Sequence, residues 1–567
     1  MSRSRSIPGL LNLAFLTVLA LATLPQAAAA QSGPQVTPEI VAAAAAAKTP
    51  VAPGPVEPTW DSIRANYSVP QWFIDAKFGI TMHWGLFSVA AYHNEWYEKY
   101  MYTTFADWHA QHFGPQNKFG YKDFIPLFTA KDFNADDLLA IVKDSGAKYF
   151  APTVEHHDGF SLWNSKTNPY NPYNMGPHRD LVGEMAVATR KAGLKFGVAS
   201  HNMEHYTFVN PKPGLKSDVD DPANDNFYWH THNDARLQLF LEDWVLKNYE
   251  LIDQYQPDLI WYDNGLNGRQ FDPLKMKVAA YYYNRALEWH KPVTFLTKDS
   301  AYLAGSVLEF EKLNPRGPTQ ILKGIWDAEE PIGSTWGYSA ENPVETIRNP
   351  QNIVSELCTV LSMNGALLLN LSPTGTGAIN QPQRTALHEV GKWLAVNGEA
   401  VYGTHSWVID GEGFTPLPPH GAAARRPGAA AAAAAEEGPT AVAAPPEAAP
   451  TAAPAASATR GPRPVVYRFT VKGDNLYAIA QSWPGETAVI ASLATGKALN
   501  GTIPAGKIAS VSLLGTPGNL KFTQDADGLK VQLPAEKPCD YAWSLKITGL
   551  KMNPAGPPQP AVMADLR

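Results

Sequence analysis

The chain has 567 residues, of which 45% are hydrophobic and 17% are charged, a balance typical of folded globular proteins. Its length predicts two folded domains and some additional non-folding sequence. The 46 Lys and Arg against 53 Asp and Glu give a formal net charge of -7. This balance argues against a nucleic-acid binder, because such proteins need a basic surface. The 16 Trp and 23 Tyr suit a carbohydrate-active protein, although a large core uses the same residues.

The N-terminus is predicted to be an export signal over residues 1–30. Arg3 and Arg5 precede an apolar run over 10–24, and the small residues at 27–30 provide a cleavage site before Gln31. The apolar run is short for a membrane span, and an uncleaved anchor is the alternative. The mature protein is therefore expected to be exported, either periplasmic or extracellular, with no membrane attachment after signal removal.

Two segments of low complexity divide the rest of the chain. Residues 31–58 are rich in Ala, Pro, Gly and Val and are predicted to be a disordered linker. Residues 415–464 are similar and are predicted to be a low-complexity insertion. This division leaves a first, larger domain over 59–402, a C-terminal domain over 403–551 that contains the insertion, and a tail over 552–567.

Helical patterns alternate with short apolar runs in the first domain. Helices are predicted over 135–145, 180–192, 235–255, 274–290 and 352–363, and the runs that follow them cover 148–154, 194–200, 258–263, 292–296 and 365–370. Such repetition predicts parallel strands with crossover helices, in a barrel or a doubly wound sheet. No GxGxxG opens a helix after the first strand, so a dinucleotide site is disfavoured.

Polar clusters at the ends of the apolar runs favour the barrel. His83 follows residues 80–82, residues 155–158 read EHHD, His201 follows 198–200, and Asp263 ends the run 258–263. In a (β/α)8-like TIM barrel these points meet on one face. From about residue 465, short alternating strands between turns predict a C-terminal antiparallel β-sandwich.

The sharpest candidate for chemistry is Asp263, which a buried strand delivers to a glycine-containing loop. A nucleophilic carboxylate needs such rigid placement, and a loop-turning Asp is the alternative interpretation. A glycosidase also needs a protonated carboxyl group. Glu309 and Glu311 lie on one face of a strand, and Asp327, Glu329 and Glu330 follow Trp326; chemistry alone does not rank these five.

Histidines form the second group of candidates. His83, His156, His157, His201 and His205 offer zinc-type ligands, but the adjacent pair is expected to diverge on a strand and the spacing of the last two requires a helix. Hydrogen bonding to sugar hydroxyls is therefore the preferred interpretation, with no metal or cofactor. The two cysteines lack zinc-type spacing, and Cys358 is predicted to be a buried free thiol.

Six stretches together resemble the retaining α-L-fucosidases of glycoside hydrolase family 29. They are KFGITMHWG (77–85), HNEWY (93–97), EHHDGF (155–160), DLIWYD (258–263), STWGY (334–338) and LLNLSP (368–373). They occur in the order of the family and cover about residues 59–410. The resemblance implies an exo-acting enzyme that removes terminal α-L-fucose from glycans by double displacement.

The resemblance also implies roles for particular residues. Asp263 is implied as the nucleophile and Glu311 as the acid/base, with Glu309 and Asp327 as reserves. The implied substrate-binding residues, including the two tryptophans expected as pocket walls, are His83, Glu95, Trp96, His156, His157, His201, Trp261 and Trp336.

The chain departs from the family at two points. A tyrosine that contacts substrate in many relatives is absent beside His201, and Lys298 stands where relatives often have an arginine, a cation without the planar two-pronged donor. We expect these departures to affect the preference for the aglycone more than the reaction.

Three alternative functions stay open: a metal-dependent hydrolase, a non-catalytic glycan-binding relative, and an exo-glycosidase acting on a related sugar such as an α-L-galactoside.

Overall fold

The structure of the protein, a computed structural model, describes residues 36–47, 50–298, 301–313, 317–341, 346–414, 464–552 and 559–560. The predicted export signal, nearly all of the predicted insertion over 415–464 and most of the tail lie outside these residues.

Eight parallel strands close into a barrel in chain order, which confirms the predicted TIM-like fold. They are β1 (Phe78–Met82), β2 (Tyr149–Glu155), β3 (Lys195–Ser200), β4 (Leu259–Tyr262), β5 (Thr294–Lys298), β6 (Ser306–Glu311), β7 (Trp326–Pro331) and β8 (Gly365–Leu371). Most are near-continuous apolar runs because side chains on both faces are buried, one face against helices and the other inside the barrel.

The helices predicted around the barrel are present. The longer ones are Ala135–Asp144, Leu181–Lys191, Asp234–Tyr255, Asp272–Glu288, Pro350–Ser362 and Gln381–Asn397. Four of the six begin after an Asn, and one after an Asp, whose side chain accepts a hydrogen bond from the first turn, which satisfies backbone donors that have no partner within the helix. These caps fix the residue at which each of the five helices begins.

Shorter helices complete the described parts of the chain. The α-helices are Pro38–Ala46, Trp60–Asn66, Gln71–Ala76, Phe87–Ala90, Tyr97–Met101, Ala106–His112, His205–Phe208 and Asp225–Tyr228. The 3-10 segments are Tyr121–Leu127, Asn202–Glu204, Pro222–Asn224, Arg269–Phe271, Gly398–Ala400 and Ala491–Leu493. Phe73, on the helix Gln71–Ala76, packs against the interior side chains of the barrel.

The prediction of a disordered linker over 31–58 is wrong for its described part. Helix Pro38–Ala46 packs against helices Asp234–Tyr255 and Asp272–Glu288, and Val41 is fully buried. Lys277 Nζ donates to the carbonyl of Ala45 at 2.7 Å, and Asn284 Nδ2 donates to that of Val56 at 2.9 Å. The small alanines permit this close approach, so the composition that indicated disorder instead supports a packed helix.

The C-terminal domain has two antiparallel sheets, as predicted. The strands are β9 (His405–Glu412), β10 (Tyr467–Lys472), β11 (Asn475–Ala480), β12 (Thr487–Ile490), β13 (Gly506–Leu513), β14 (Phe522–Gln524), β15 (Leu529–Gln532) and β16 (Trp543–Leu550). The five-stranded sheet has the order β13-β16-β11-β10-β9 and the three-stranded sheet the order β12-β15-β14.

Two further features concern the helices. Cys358 is buried and free in helix Pro350–Ser362, as predicted. Across the described ranges, none of the helices has both the length and the apolar character needed to cross a membrane.

Candidate active site

One cavity of about 240 Å³ opens at the carboxyl ends of the barrel strands. All ten residues predicted for the site line it, namely Asp263, Glu311, His83, Glu95, Trp96, His156, His157, His201, Trp261 and Trp336. The barrel brings together residues separated by more than 250 positions in the chain because the carboxyl ends of its strands, and the loops that follow them, meet on one face.

Asp263 is held rigidly in this cavity. It directly follows β4, and its backbone N–H donates to the carbonyl of Ser200 in β3 at 3.3 Å. Its carboxylate contacts Lys298 Nζ and lies 3.4 Å from His157 Nε2. Burial alone would raise the pKa of Asp263, but the charge of Lys298 and the hydrogen bond and charge of His157 hold it well below the usual value. Asp263 is therefore ionised at neutral pH.

Lys298 joins the two predicted catalytic carboxylates. It ends β5, and its Nζ contacts Asp263 and also lies 2.9 Å from Glu311 Oε2 at the end of β6. Burial opposes the charge of Lys298, but Asp263 and Glu311 raise its pKa well above the usual value. A permanent cation thus lies between the two carboxylates.

His157 supports Asp263 at the other carboxylate oxygen. Its Nδ1 donates to the carbonyl of His201 at 2.8 Å, which aims Nε2 at the carboxylate. Burial disfavours the charged ring, yet the hydrogen bond to Asp263 and the charge of Glu204 raise the pKa of His157.

His156 and His157 do not diverge as the sequence predicted. Strand β2 ends at Glu155, so both residues belong to the turn that follows, and their ring centroids lie 4.4 Å apart. Both rings therefore face the cavity. His205 is buried but does not line the cavity, and a Cβ on Gly159 would overlap its ring.

A hydrogen-bonded chain links β8 to the cavity floor. Asn370 Nδ2 donates to the carbonyl of Trp336 at 2.8 Å, which orients the amide so that Oδ1 accepts from His83 Nδ1 at 2.7 Å. The Nε2 of His83 then lies 3.2 Å from Nε2 of His201. Burial lowers the pKa of His83 to about 4 and lowers that of His201 well below its usual value. Both rings are neutral, with nitrogens available for hydroxyl groups.

Glu95 fixes one wall of the cavity. Its Oε2 accepts from the backbone N–H of Gly337 at 2.9 Å, directly after Trp336. A Cβ at position 337 would lie 2.7 Å from the ring of Phe87 and 3.0 Å from Cβ of Glu95. Only glycine fits there, and the close approach holds Trp336 against the ring of His83, with centroids 5.5 Å apart.

The two reserve carboxylates do not reach the cavity. Glu309 and Asp327 are fully buried on adjacent positions of β6 and β7, one interior position below Glu311. Burial raises the pKa of Asp327 to about 8, against the hydrogen bond from Tyr149, and raises that of Glu309 well above its usual value. Both residues are protonated at neutral pH, and neither lines the cavity.

Sequence reasoning did not assign a role to Glu329, which lines the cavity beside Glu311 in the register of β6 and β7. Burial and the neighbouring Glu309 raise its pKa well above the usual value. Further lining residues that had no role assigned from the sequence are His93, Asn94, Tyr100, Asn264, Lys312, Ser334 and Thr335. The acidic pattern of β7 was the available signal for Glu329, but it resembled surface charge.

Three of the histidines could also hold a metal ion. One ring nitrogen from each of His83, His156 and His201 lies within 4.8 Å of the other two. The cavity thus combines an ionised carboxylate, protonated and ion-paired carboxyl groups, neutral imidazoles and aromatic walls.

Comparisons with known proteins agree with this arrangement. Residues 43–399 match the Alpha-L-fucosidase family model, and residues 462–548 match the Alpha-L-fucosidase C-terminal domain model. Human plasma alpha-L-fucosidase is 29% identical over 514 residues, which cover 87% of this chain and 92% of that protein. Human tissue alpha-L-fucosidase is 28% identical over 520 residues, with 87% and 92% covered.

A solved structure shows the same similarity. The crystal structure of Thermotoga maritima alpha-fucosidase in complex with fucose has a TM-score of 0.63 and 26% identity to this chain, and the match covers 87% of this chain and 100% of that one. The first family model covers well over half of the 567 residues. The chain belongs to the α-L-fucosidase family of glycoside hydrolases.

Proposed function

We propose that the protein is an exo-acting, retaining α-L-fucosidase that releases terminal α-L-fucose from glycans. The observation that carries the proposal is the ionised Asp263, fixed between Lys298 and His157 in a cavity of about 240 Å³. Cavities for drug-sized ligands measure about 300–1,000 Å³, so this one is matched to a single sugar ring. Trp261 and other interior side chains fill the barrel beneath it, which restricts the enzyme to chain ends.

In the proposed mechanism, Asp263 attacks the anomeric carbon while an acid protonates the departing glycosidic oxygen. A covalent fucosyl-enzyme forms on Asp263. The same acid, now a base, removes a proton from water, and that water releases fucose with its original configuration. The neutral His83 and His201 and the buried Glu95 offer partners that orient the sugar hydroxyls.

The separation of the carboxylates supports retention. Asp263 and Glu311 both contact the Nζ of Lys298. Two oxygens that each lie within hydrogen-bond reach of one nitrogen are at most about 6 Å apart. Retaining enzymes need about 5–5.5 Å between the carboxyl groups, whereas inverting enzymes need about 6.5–9.5 Å to admit a water.

We propose Glu311 as the acid/base. Its side chain is 20% exposed, so it lies where a leaving group departs and water enters. Glu329 is the second candidate, because its raised pKa means that it carries a proton at neutral pH. The variants Glu311→Gln and Glu329→Gln separate the two. The true acid variant retains activity on a fucosyl fluoride, whose leaving group needs no proton, but loses activity on natural fucosides.

The nucleophile is tested with Asp263→Ala and nitrophenyl α-L-fucoside. We expect no turnover, with partial rescue by azide and formation of the inverted β-fucosyl azide. Asp258→Ala is the matched control, since Asp258 precedes the same strand at its opposite end and pairs with Lys195 at 3.2 Å. The control loses stability but keeps its activity per folded molecule. Full activity of Asp263→Ala would reject the assignment.

Three rival functions have direct tests on the same protein. A metal-dependent hydrolase would lose activity in EDTA, whereas the proposed mechanism needs no metal. A glycan-binding relative would bind fucose without hydrolysing any of the 1,2-, 1,3-, 1,4- or 1,6-linked fucosides, and a preference for α-L-galactosides in the same panel would redefine the substrate.

We also propose that the protein is exported, on the basis of Arg3, Arg5 and the apolar run over 10–24. N-terminal sequencing of the natural protein is expected to begin at Gln31. An intact Met1 in protein recovered from the cytoplasm would contradict export.

A further inference from the structure

We propose that His83, His156 and His201 form a binding site for a first-row transition-metal dication such as Zn²⁺, and that the bound ion closes the sugar pocket. The ligand, a metal ion, lies outside the proposed function. The expected inhibition of hydrolysis rests on that function.

The three rings converge at close range. One nitrogen of each lies within 4.8 Å of the other two, and the Nε2 atoms of His83 and His201 are 3.2 Å apart. A tetrahedral zinc ion with Zn–N bonds of about 2.0–2.1 Å places its ligand atoms about 3.3 Å apart. One edge of the coordination shell is therefore already formed, and His156 completes it with a small movement of its side chain.

His83 is oriented as metal-binding histidines are. Its Nδ1 donates to Asn370 Oδ1 at 2.7 Å, so its Nε2 presents a lone pair to the cavity. Metal-ligating histidines generally donate their other nitrogen to a carboxylate, carbonyl or water, which fixes the tautomer. The backbone N–H of His201 donates to the carbonyl of Glu155 at 3.0 Å, which fixes the position of the second ligand.

An independent observation is the unused capacity of the other two rings. His156 Nδ1 and His201 Nδ1 are buried, and neither has a hydrogen-bond partner within the part of the chain that the structure describes. A buried polar atom left unsatisfied costs about 1–3 kcal/mol. Neither Nδ1 is held in one protonation state by a partner, so His201 can move its proton to Nδ1 and bind an ion through the Nε2 that faces His83.

The surrounding charges select the kind of metal. Asp263 Oδ2 lies 3.8 Å from His201 Nε2 and is available as an anionic fourth ligand. Lys298 contacts the same carboxylate, so an entering cation meets an existing positive charge. Imidazole suits Zn²⁺, Cu²⁺ and Ni²⁺, whereas Mg²⁺ and Ca²⁺ prefer oxygen ligands. Only strong imidazole binders are expected to overcome the charge of Lys298.

The metal and the sugar would compete for one space. The three histidines line the same cavity as Asp263 and Trp336. Zn²⁺ should therefore inhibit hydrolysis competitively, EDTA should restore it, and fucose should weaken zinc binding. Mg²⁺ at the same concentration should have no effect.

The test is calorimetric titration of the full chain with Zn²⁺ in the absence of substrate, supported by the visible spectrum of the Co²⁺ form. We expect one tight site per chain. His201→Phe should abolish it, and His201→Asn is a second variant if the first fails to fold. Asn370→Ala should weaken it by about 10–100-fold, the usual cost of losing an outer-shell partner. His388→Gln, at an exposed histidine outside the cavity, is the control and should bind as the parent does.

Unchanged zinc binding in His201→Phe, or no site above that of weakly bound surface ions, would overturn the proposal. Binding is measured without substrate, so a protein that binds Zn²⁺ but hydrolyses no fucoside would refute the proposed function and leave the metal site supported.

Discussion

The structure makes its most specific prediction for the removal of Lys298, the cation between Asp263 and Glu311. In Lys298→Met, the apolar side chain leaves Asp263 and Glu311 with no shared counter-charge. Removing one partner of a buried ion pair costs about 3–5 kcal/mol. The Lys298 side chain is 6% exposed, so solvent does little to screen the loss. We expect the free energy of unfolding at neutral pH to fall by roughly that amount.

The same substitution should change catalysis in a way that depends on pH. The lowered pKa of Asp263 means that its ionised form is lost only as the pH falls well into the acidic range. Without Lys298 that pKa rises, so the acidic limb of kcat/KM should move to higher pH. If the transition state loses about 3 kcal/mol of stabilisation, kcat/KM decreases by more than about 100-fold.

The assay is the pH profile of kcat/KM on nitrophenyl α-L-fucoside, together with urea unfolding. Lys275→Met is the matched control, because Lys275 is also buried and paired, at 2.6 Å from Asp272, but does not line the cavity. Both variants should be less stable, and only Lys298→Met should show the shifted limb. An unshifted acidic limb in a folded Lys298→Met protein would refute the electrostatic role of Lys298.

Two other predictions follow from buried carboxyl groups. Glu95→Ala removes the acceptor of Gly337 N–H and should loosen Trp336, raising KM and lowering kcat/KM by about 10–100-fold; unchanged kinetics would refute that anchoring role. Asp327 has a pKa of about 8 in the folded protein, above that of an Asp in the unfolded chain. The unfolded chain therefore releases this proton first, and the free energy of unfolding decreases as the pH rises from about 4 to 8, by at most about 1.4 kcal/mol per pH unit. Asp327→Asn should therefore gain stability over the parent between pH 5 and 8 in urea unfolding, and a constant difference would contradict the raised pKa.

Sequence periodicity predicted the strands and helices that obey simple rules. Strand β8 reads GALLLNL and helix Asp234–Tyr255 begins after the cap Asn233, so both carry strong local signals. The convergence of Asp263 with the histidines followed from the topology, since parallel barrel strands end on one face. The family resemblance supplied the roles, which hydrophobic pattern alone does not contain.

Other features could not be predicted because residue types that usually indicate an exposed or disordered segment are buried in this fold. Strand β7 reads WDAEEP, and three carboxyl groups in six residues indicate a surface rather than a barrel interior. The protonation of Asp327 and Glu329 in this buried environment is a tertiary property. Likewise, the alanine-rich segment that forms helix Pro38–Ala46 has the composition of a linker, and only the partner helices make it fold.

The turn after β2 is a third case. Whether His156 and His157 diverge depends on where the strand ends, and a difference of one residue decides it. The contact of Lys298 with both carboxylates likewise depends on how far β5 and β6 extend. Such boundaries are set by packing and register, which local sequence does not specify.

The central claim is that Asp263 forms a covalent bond to fucose. Incubation with a 2-fluoro-fucosyl fluoride should trap this intermediate, and mass spectrometry of the digested protein should find one fucosyl label on the peptide that contains Asp263, with none on Glu311 or Glu329. A label on another carboxyl group, or turnover with release of inverted β-L-fucose and no label, would contradict the account.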